Sequence, residues 1–404
     1  MKRISKKTVG IAGLSVVAVV LAGCAGSGPE ASEPAEELPH GYVEGAEETA
    51  EAQSRLTVTD ADSGAVRVLD LITGDVTEVG QAPGVEGAAG DGRFAYLESG
   101  GAVRIVDTGS WKVDHGDHVH YYRAAVREVG TIPGSGLVSA HSDPAVVAVS
   151  FGNGSASLLD RAKLDEGTIG ETGRISDVAR GAAVVPHDGH LLVPVEQPGQ
   201  VGGVQVRDRD GQPAAAIDQP CPNPAGAAAT RRGVVFGCAD GALLVTSKDG
   251  TFSGEKIPYP RPVPEEERAE DFHHRPGSDT LAAKAGESGV WSLDVAHRAW
   301  TFAATGPTLA VNAVGAGGPL LAVTPDGALH AFDAETGHET ATVPLLRGPV
   351  GEGDAPTIEV DTTRAYVNDA SAGVVHEIDY NDDLRRARTF DLGGRVAQMV
   401  ETGR

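Results

Sequence analysis

This sequence predicts an all-β fold, a single β-propeller of eight four-stranded blades of the WD-repeat or YVTN-like kind, on three observations. One pattern recurs eight times after Arg55: an alternating apolar run, a short polar turn, then a second run that closes on Asp. The second runs occupy 65–70, 102–107, 155–160, 203–208, 242–247, 289–294, 328–333 and 374–379, and only the fifth ends on another residue, Ser247. Their spacing averages about 44 residues, the period of a propeller blade. The composition agrees: 54 glycines and 4% aromatic residues suit short strands packed with Val, Leu and Ala and joined by tight turns. Finally, no segment sustains a helical period.

Each repeat is a small antiparallel sheet that cannot bury both faces alone, and radial stacking solves this. Turns such as Asp333-Ala334-Glu335-Thr336-Gly337 place Gly where positive φ is needed before the outer strand. Leu56-Thr57-Val58 is expected to pair with the last strand, around Val396 to Val400, removing an exposed edge. Seven blades is the fallback if one hairpin is incomplete.

The N-terminus predicts an address. Lys2, Arg3, Lys6 and Lys7 precede an apolar run over 9–20, and Leu21-Ala22-Gly23-Cys24 follows. This resembles a bacterial lipobox. The resemblance implies cleavage of residues 1–23, a lipid on Cys24, and a mature protein on the outer face of the cytoplasmic membrane. The apolar run is shorter than the ~20 residues a span needs. Residues 24–54 read as an acidic, disordered tether, since 25–53 holds eight Glu and no Lys or Arg. The propeller domain is then 55–404. A net charge of −24 argues against nucleic acid and against adhesion to anionic lipid by charge.

With Cys24 lipidated, Cys221 and Cys238 remain in an oxidising compartment. A disulfide between them is expected; the alternative is a thiolate pair on a metal.

The chemistry concentrates in Asp114-His115-Gly116-Asp117-His118-Val119-His120-Tyr121-Tyr122, where three of the chain's 13 histidines fall within six positions. In an extended backbone His118 and His120 share a face, and a turn at Gly116 can fold His115 or Asp117 back as a third ligand. Imidazole with carboxylate suits zinc, and also admits copper or nickel. The cluster follows the repeat that ends at Asp107, so it lies in a connection at the channel mouth or at the opposite rim, where propellers collect binding loops.

The run from Trp111 to Tyr122 resembles the His-rich loop of AztD-type zinc metallochaperones. Similarity continues in His141-Ser142-Asp143, in 206–211, in 236–241 and in Glu377-Ile378-Asp379-Tyr380. The resemblance implies an envelope propeller, monomeric and not an enzyme, that binds zinc and hands it to the solute-binding protein of an ABC transporter. It departs from the family at Ala179-Arg180-Gly181 and at Pro222-Asn223-Pro224-Ala225, where the family carries histidines. Metal binding is therefore expected at His115, Asp117, His118 and His120, with His141, His187, His190, His273 and His274 as substitutes for the missing ligands. Two other classes compete: a propeller that binds a protein partner without metal, and a propeller hydrolase of the lactonase kind. No Gly-x-Ser-x-Gly elbow accompanies the histidines to support the latter.

Overall fold

The blades form where the repeat places them. The computed structural model describes residues 43–115, 118–196, 201–315, 317–347, 350–351 and 353–404. The signal segment, Cys24, the tether up to residue 42, and Asp117 lie outside the described residues.

All eight repeated runs are the third strand of an antiparallel sheet, and among the described residues there are eight such sheets, one per blade. Seven of these have four strands. In the sixth, Thr280–Ala285, Gly289–Asp294 and Ala299–Ala303 pair normally. Its innermost position is held by His273 alone, through reciprocal backbone bonds with Ala282 of 2.8 and 2.9 Å. The Asp that ends most repeats caps the turn beyond it. Asp70 accepts from the backbone N–H groups of Ile72 and Thr73, and Asp333 from those of Glu335 and Thr336. Gly74 and Gly337 then take φ of +81° and +72° to start the outer strand.

Second strands are largely buried, and wholly so in Arg55–Asp60, Val146–Phe151 and Gly233–Cys238, because a neighbouring blade covers each face. Outer strands such as Pro213–Ala216 are exposed. Among the described residues eight apolar clusters follow, each spanning two consecutive blades. Val66, Val68, Ala95 and Leu97 join the first to the second, and Leu56, Val58, Tyr366 and Val375 join the eighth back to the first. That last cluster closes the ring. The expected clasp accompanies it: Val396–Thr402 is the innermost strand of the first blade, with Leu56 opposite Glu401 and Val58 opposite Met399. Cys221 and Cys238 form the expected disulfide, inside the apolar cluster between the fourth and fifth blades.

One expectation fails. The end of the segment read as disordered tether is a strand, Glu47–Thr49, paired antiparallel with Tyr121–Arg123. Its acidic composition does not oppose order here, because its backbone groups find partners on a ready-made edge.

Candidate metal centre

The second blade is interrupted between its third strand, Ala102–Asp107, and its fourth, Arg127–Pro133. The intervening chain leaves as a hairpin of Ser110–Asp114 and Val119–Arg123, with Trp111 opposite Tyr122 and Val113 opposite His120. Its exit requires Gly109: φ there is +66°, and a Cβ would stand 2.4 Å from the Ala124 carbonyl oxygen. Asp107 secures the root. Its buried carboxylate takes Arg93 at 2.8 Å and Arg127 at 3.0 Å, and accepts the Gly109 N–H.

From that root an aromatic column climbs to the hairpin tip. The Arg93 guanidinium lies 3.8 Å from the centre of the Trp111 ring. Trp111 stacks on Tyr122 at 5.2 Å, and Tyr122 is followed by His120 at 6.2 Å. Alternation along the strands puts these groups on one face. Above them the three imidazoles meet: ring centres are 4.8 Å apart for His118 and His120, 4.9 Å for His115 and His118, and 5.3 Å for His115 and His120. The tip turn closes through the His115 N–H and the His118 carbonyl at 2.9 Å.

One nitrogen from each ring lies within 4.8 Å of the others, and among the described residues this is the group of three or more potential ligands that converges in this way. Tetrahedral zinc with Zn–N bonds of about 2.0–2.1 Å sets its ligands roughly 3.3 Å apart. Small rotations of the exposed His115 and His118 rings close that gap. Three imidazole nitrogens suit a borderline-soft divalent ion better than calcium or magnesium, which demand oxygen.

His120 is nearly buried, and its Nδ1 lies 2.6 Å from Glu48 Oε1 on the Glu47–Thr49 strand. Sequence reading missed Glu48, 72 positions away in an acidic run where each Glu looks alike. It missed the column as well, although the Trp111 and Tyr122 spacing about the turn, read as a hairpin, carries that signal.

The other candidate histidines do not join this group. His141, His273 and His274 stand on the wall of the central channel, a cavity of about 510 Å³. Burial pushes His141 and His274 down to about 4, so both are neutral at pH 7. Burial also opposes the charge on His273, but Asp271 at 3.0 Å prevails and raises its pKa. His187 and His190 face one another across a turn of the fourth blade, beside Phe252. The hairpin and the channel histidines share one end of the propeller. Thr108 at the hairpin root bonds Thr402 at 2.7 Å, and the Gly403 N–H bonds Gly92, beside Arg404 in the channel wall. Partial burial lowers the Lys112 pKa, and the positive charges of Arg231, Arg275 and Arg404 add to this against Asp114.

Fold and site together define an eight-bladed propeller that carries an inserted three-histidine hairpin near its channel mouth. Among solved structures, this fold is similar to that of apo AztD from Citrobacter koseri, with a TM-score of 0.71, 20% identity, and coverage of 87% of this chain and 98% of that one. A second structure of Citrobacter koseri AztD gives 0.70 and 21% over the same shares. The dihydro-heme d1 dehydrogenase NirN, in complex with DHE, is more distant at 0.51 and 14%, covering 86% of this chain and 75% of that one. No family model and no curated protein matches the sequence.

Proposed function

We propose that this protein is a membrane-tethered, extracytoplasmic zinc carrier that loads metal on the 110–123 hairpin and passes it to the zinc-binding component of an ABC transporter. The observation that carries the reading is the convergence of His115, His118 and His120 at a hairpin tip held by a rigid blade. The likeness to the AztD fold supports it, as does the His-rich run that resembles the loop of that family. A three-nitrogen, largely exposed site exchanges metal more readily than a closed four-ligand cage, and that suits transfer rather than storage. The lipid on Cys24 keeps the donor beside a membrane transporter.

Transfer is the test. Zinc-loaded protein is mixed either with the zinc-type solute-binding protein of the same cell or with a chelator of matching affinity, and the two rates are compared. Faster transfer to the protein supports hand-off. Equal rates mean that zinc passes through free solution, and the protein is then a buffer.

A further inference from the structure

We propose that Glu48 is a positioning residue for the metal centre, and that its strand couples metal occupancy to docking of the N-terminal segment. The inference rests on the three-histidine site reading and adds to it a component from outside the His-rich run.

A carboxylate can only accept a hydrogen bond, so at 2.6 Å from Glu48 Oε1 the His120 Nδ1 must donate. The proton is then on Nδ1 and the coordinating lone pair on Nε2. Fixing tautomer and ring orientation is what a carboxylate behind a metal-bound histidine does, and it also raises the basicity of the ring. The backbone makes this contact reproducible. Glu48 stands opposite Tyr122 in the pairing register, on the face of the sheet that carries His120, two positions away.

Beyond its backbone pairing with Tyr121–Arg123, the strand that delivers Glu48 has few side-chain ties among the described residues. It is three residues long, with both glutamates exposed. Its other side-chain ties are a bond from Thr49 to the Tyr121 carbonyl and a loose pair between Glu47 and Arg123 at 3.6 Å, both partly or wholly in solvent. A short edge strand of this kind depends on added interactions to stay docked. A metal on Nε2 draws electron density from the ring and strengthens the Nδ1–H bond to Glu48, so loading favours the docked strand. By reciprocity the docked strand favours loading to the same extent. The segment toward the N-terminus thus becomes a latch: displacing the 47–49 strand loosens His120 and promotes release of the ion.

The experiment measures zinc affinity by chelator competition, and backbone hydrogen exchange with and without zinc, on the full mature chain and its Glu48→Ala and Glu48→Gln variants. Glu48→Ala should weaken zinc about 10- to 100-fold and leave the apo circular dichroism unchanged. Glu48→Gln, whose amide oxygen still accepts from Nδ1, should lose less. Zinc should slow exchange at 47–49 in the parent and not in Glu48→Ala. Affinity within twofold of the parent in Glu48→Ala, or exchange at 47–49 insensitive to zinc, overturns the proposal. If Glu48→Ala disturbs the apo hairpin, Glu48→Gln decides: a loss equal to that of Ala means the residue is only structural. A parent that binds no zinc overturns the site reading itself. Loss of zinc on removing His118 and His120, with Glu48→Ala unaffected, overturns this inference alone.

Discussion

The hairpin tip and the channel wall carry three histidines each, and the two groups have opposite characters. At the tip, His115, His118 and His120 bring their nitrogens within 4.8 Å of one another, near solvent, on a scaffold of stacked rings. In the channel, His141 comes from the innermost strand of the third blade and the adjacent His273 and His274 from the inner edge of the sixth, and burial holds His141 and His274 neutral at every pH above about 4. A neutral imidazole is a competent ligand, so burial alone does not bar His141 and His274 from a metal. Geometry does. A turn of the chain gathers side chains from neighbouring positions onto one point, whereas inner strands of a propeller hold theirs apart around a circle.

Zinc binding breaks this comparison most directly. His118→Ala with His120→Ala should abolish stoichiometric zinc in equilibrium dialysis, and His141→Ala with His274→Ala should leave affinity within about twofold, since removing ligands matters only where they converge. Zinc retained by the first pair, or lost by the second, would move the metal centre into the channel.

The scaffold beneath the tip gives the next effect. Trp111 is nearly buried between Arg93 and Tyr122, and Trp111→Ala should cost about 3–5 kcal/mol of local stability. Hydrogen exchange should locate the loss at 110–123 and leave the blades protected. A uniform loss across the propeller would mean that the hairpin and the second blade unfold as one unit.

Removing the Cys221–Cys238 crosslink should cost about 3 kcal/mol, from the loop-closure entropy restored to the unfolded chain, measurable by urea denaturation of the Cys221→Ala, Cys238→Ala protein. Zinc affinity should not change, because the bridge lies in the fourth and fifth blades.

The smallest effects concern pH. For His141 and His274 the folded pKa, about 4, lies below the ordinary 6.5, so the unfolded chain binds more protons between those values. Their stabilising contribution is present above pH 6.5 and is lost as pH falls toward 4. His141→Gln with His274→Gln should flatten that acid limb in thermal melts. Glu401 behaves oppositely. Burial pushes it from 4.5 to about 8 despite its pairing with Arg404, so its contribution is full below pH 4.5 and declines as pH rises to 8. Glu401→Gln should remove that decline. An unchanged alkaline slope would mean that the Arg404 pair keeps Glu401 ionised in the fold.

The sequence alone determined whatever is encoded within one blade or one turn. Each blade is a local antiparallel unit, so its period, its capping Asp and its Gly turn are all written within about 44 residues. The clasp between Leu56-Thr57-Val58 and the last strand was legible too, because a closed ring leaves one edge that must be paired. His118 and His120 were legible as a same-face pair, and the turn at Gly116 offered His115 or Asp117 as a third ligand, of which His115 joins them. Only the tertiary structure decided the contacts between segments that sequence leaves independent. It brought Glu48 to His120 across 72 positions, set Arg93 under Trp111, and placed His141, His187 and the adjacent pair His273 and His274 on three different blades. Nothing in an acidic run marks which glutamate will meet a ring. That choice is made when the hairpin leaves the blade, offers a free edge, and the nearest chain with unpaired backbone groups fills it.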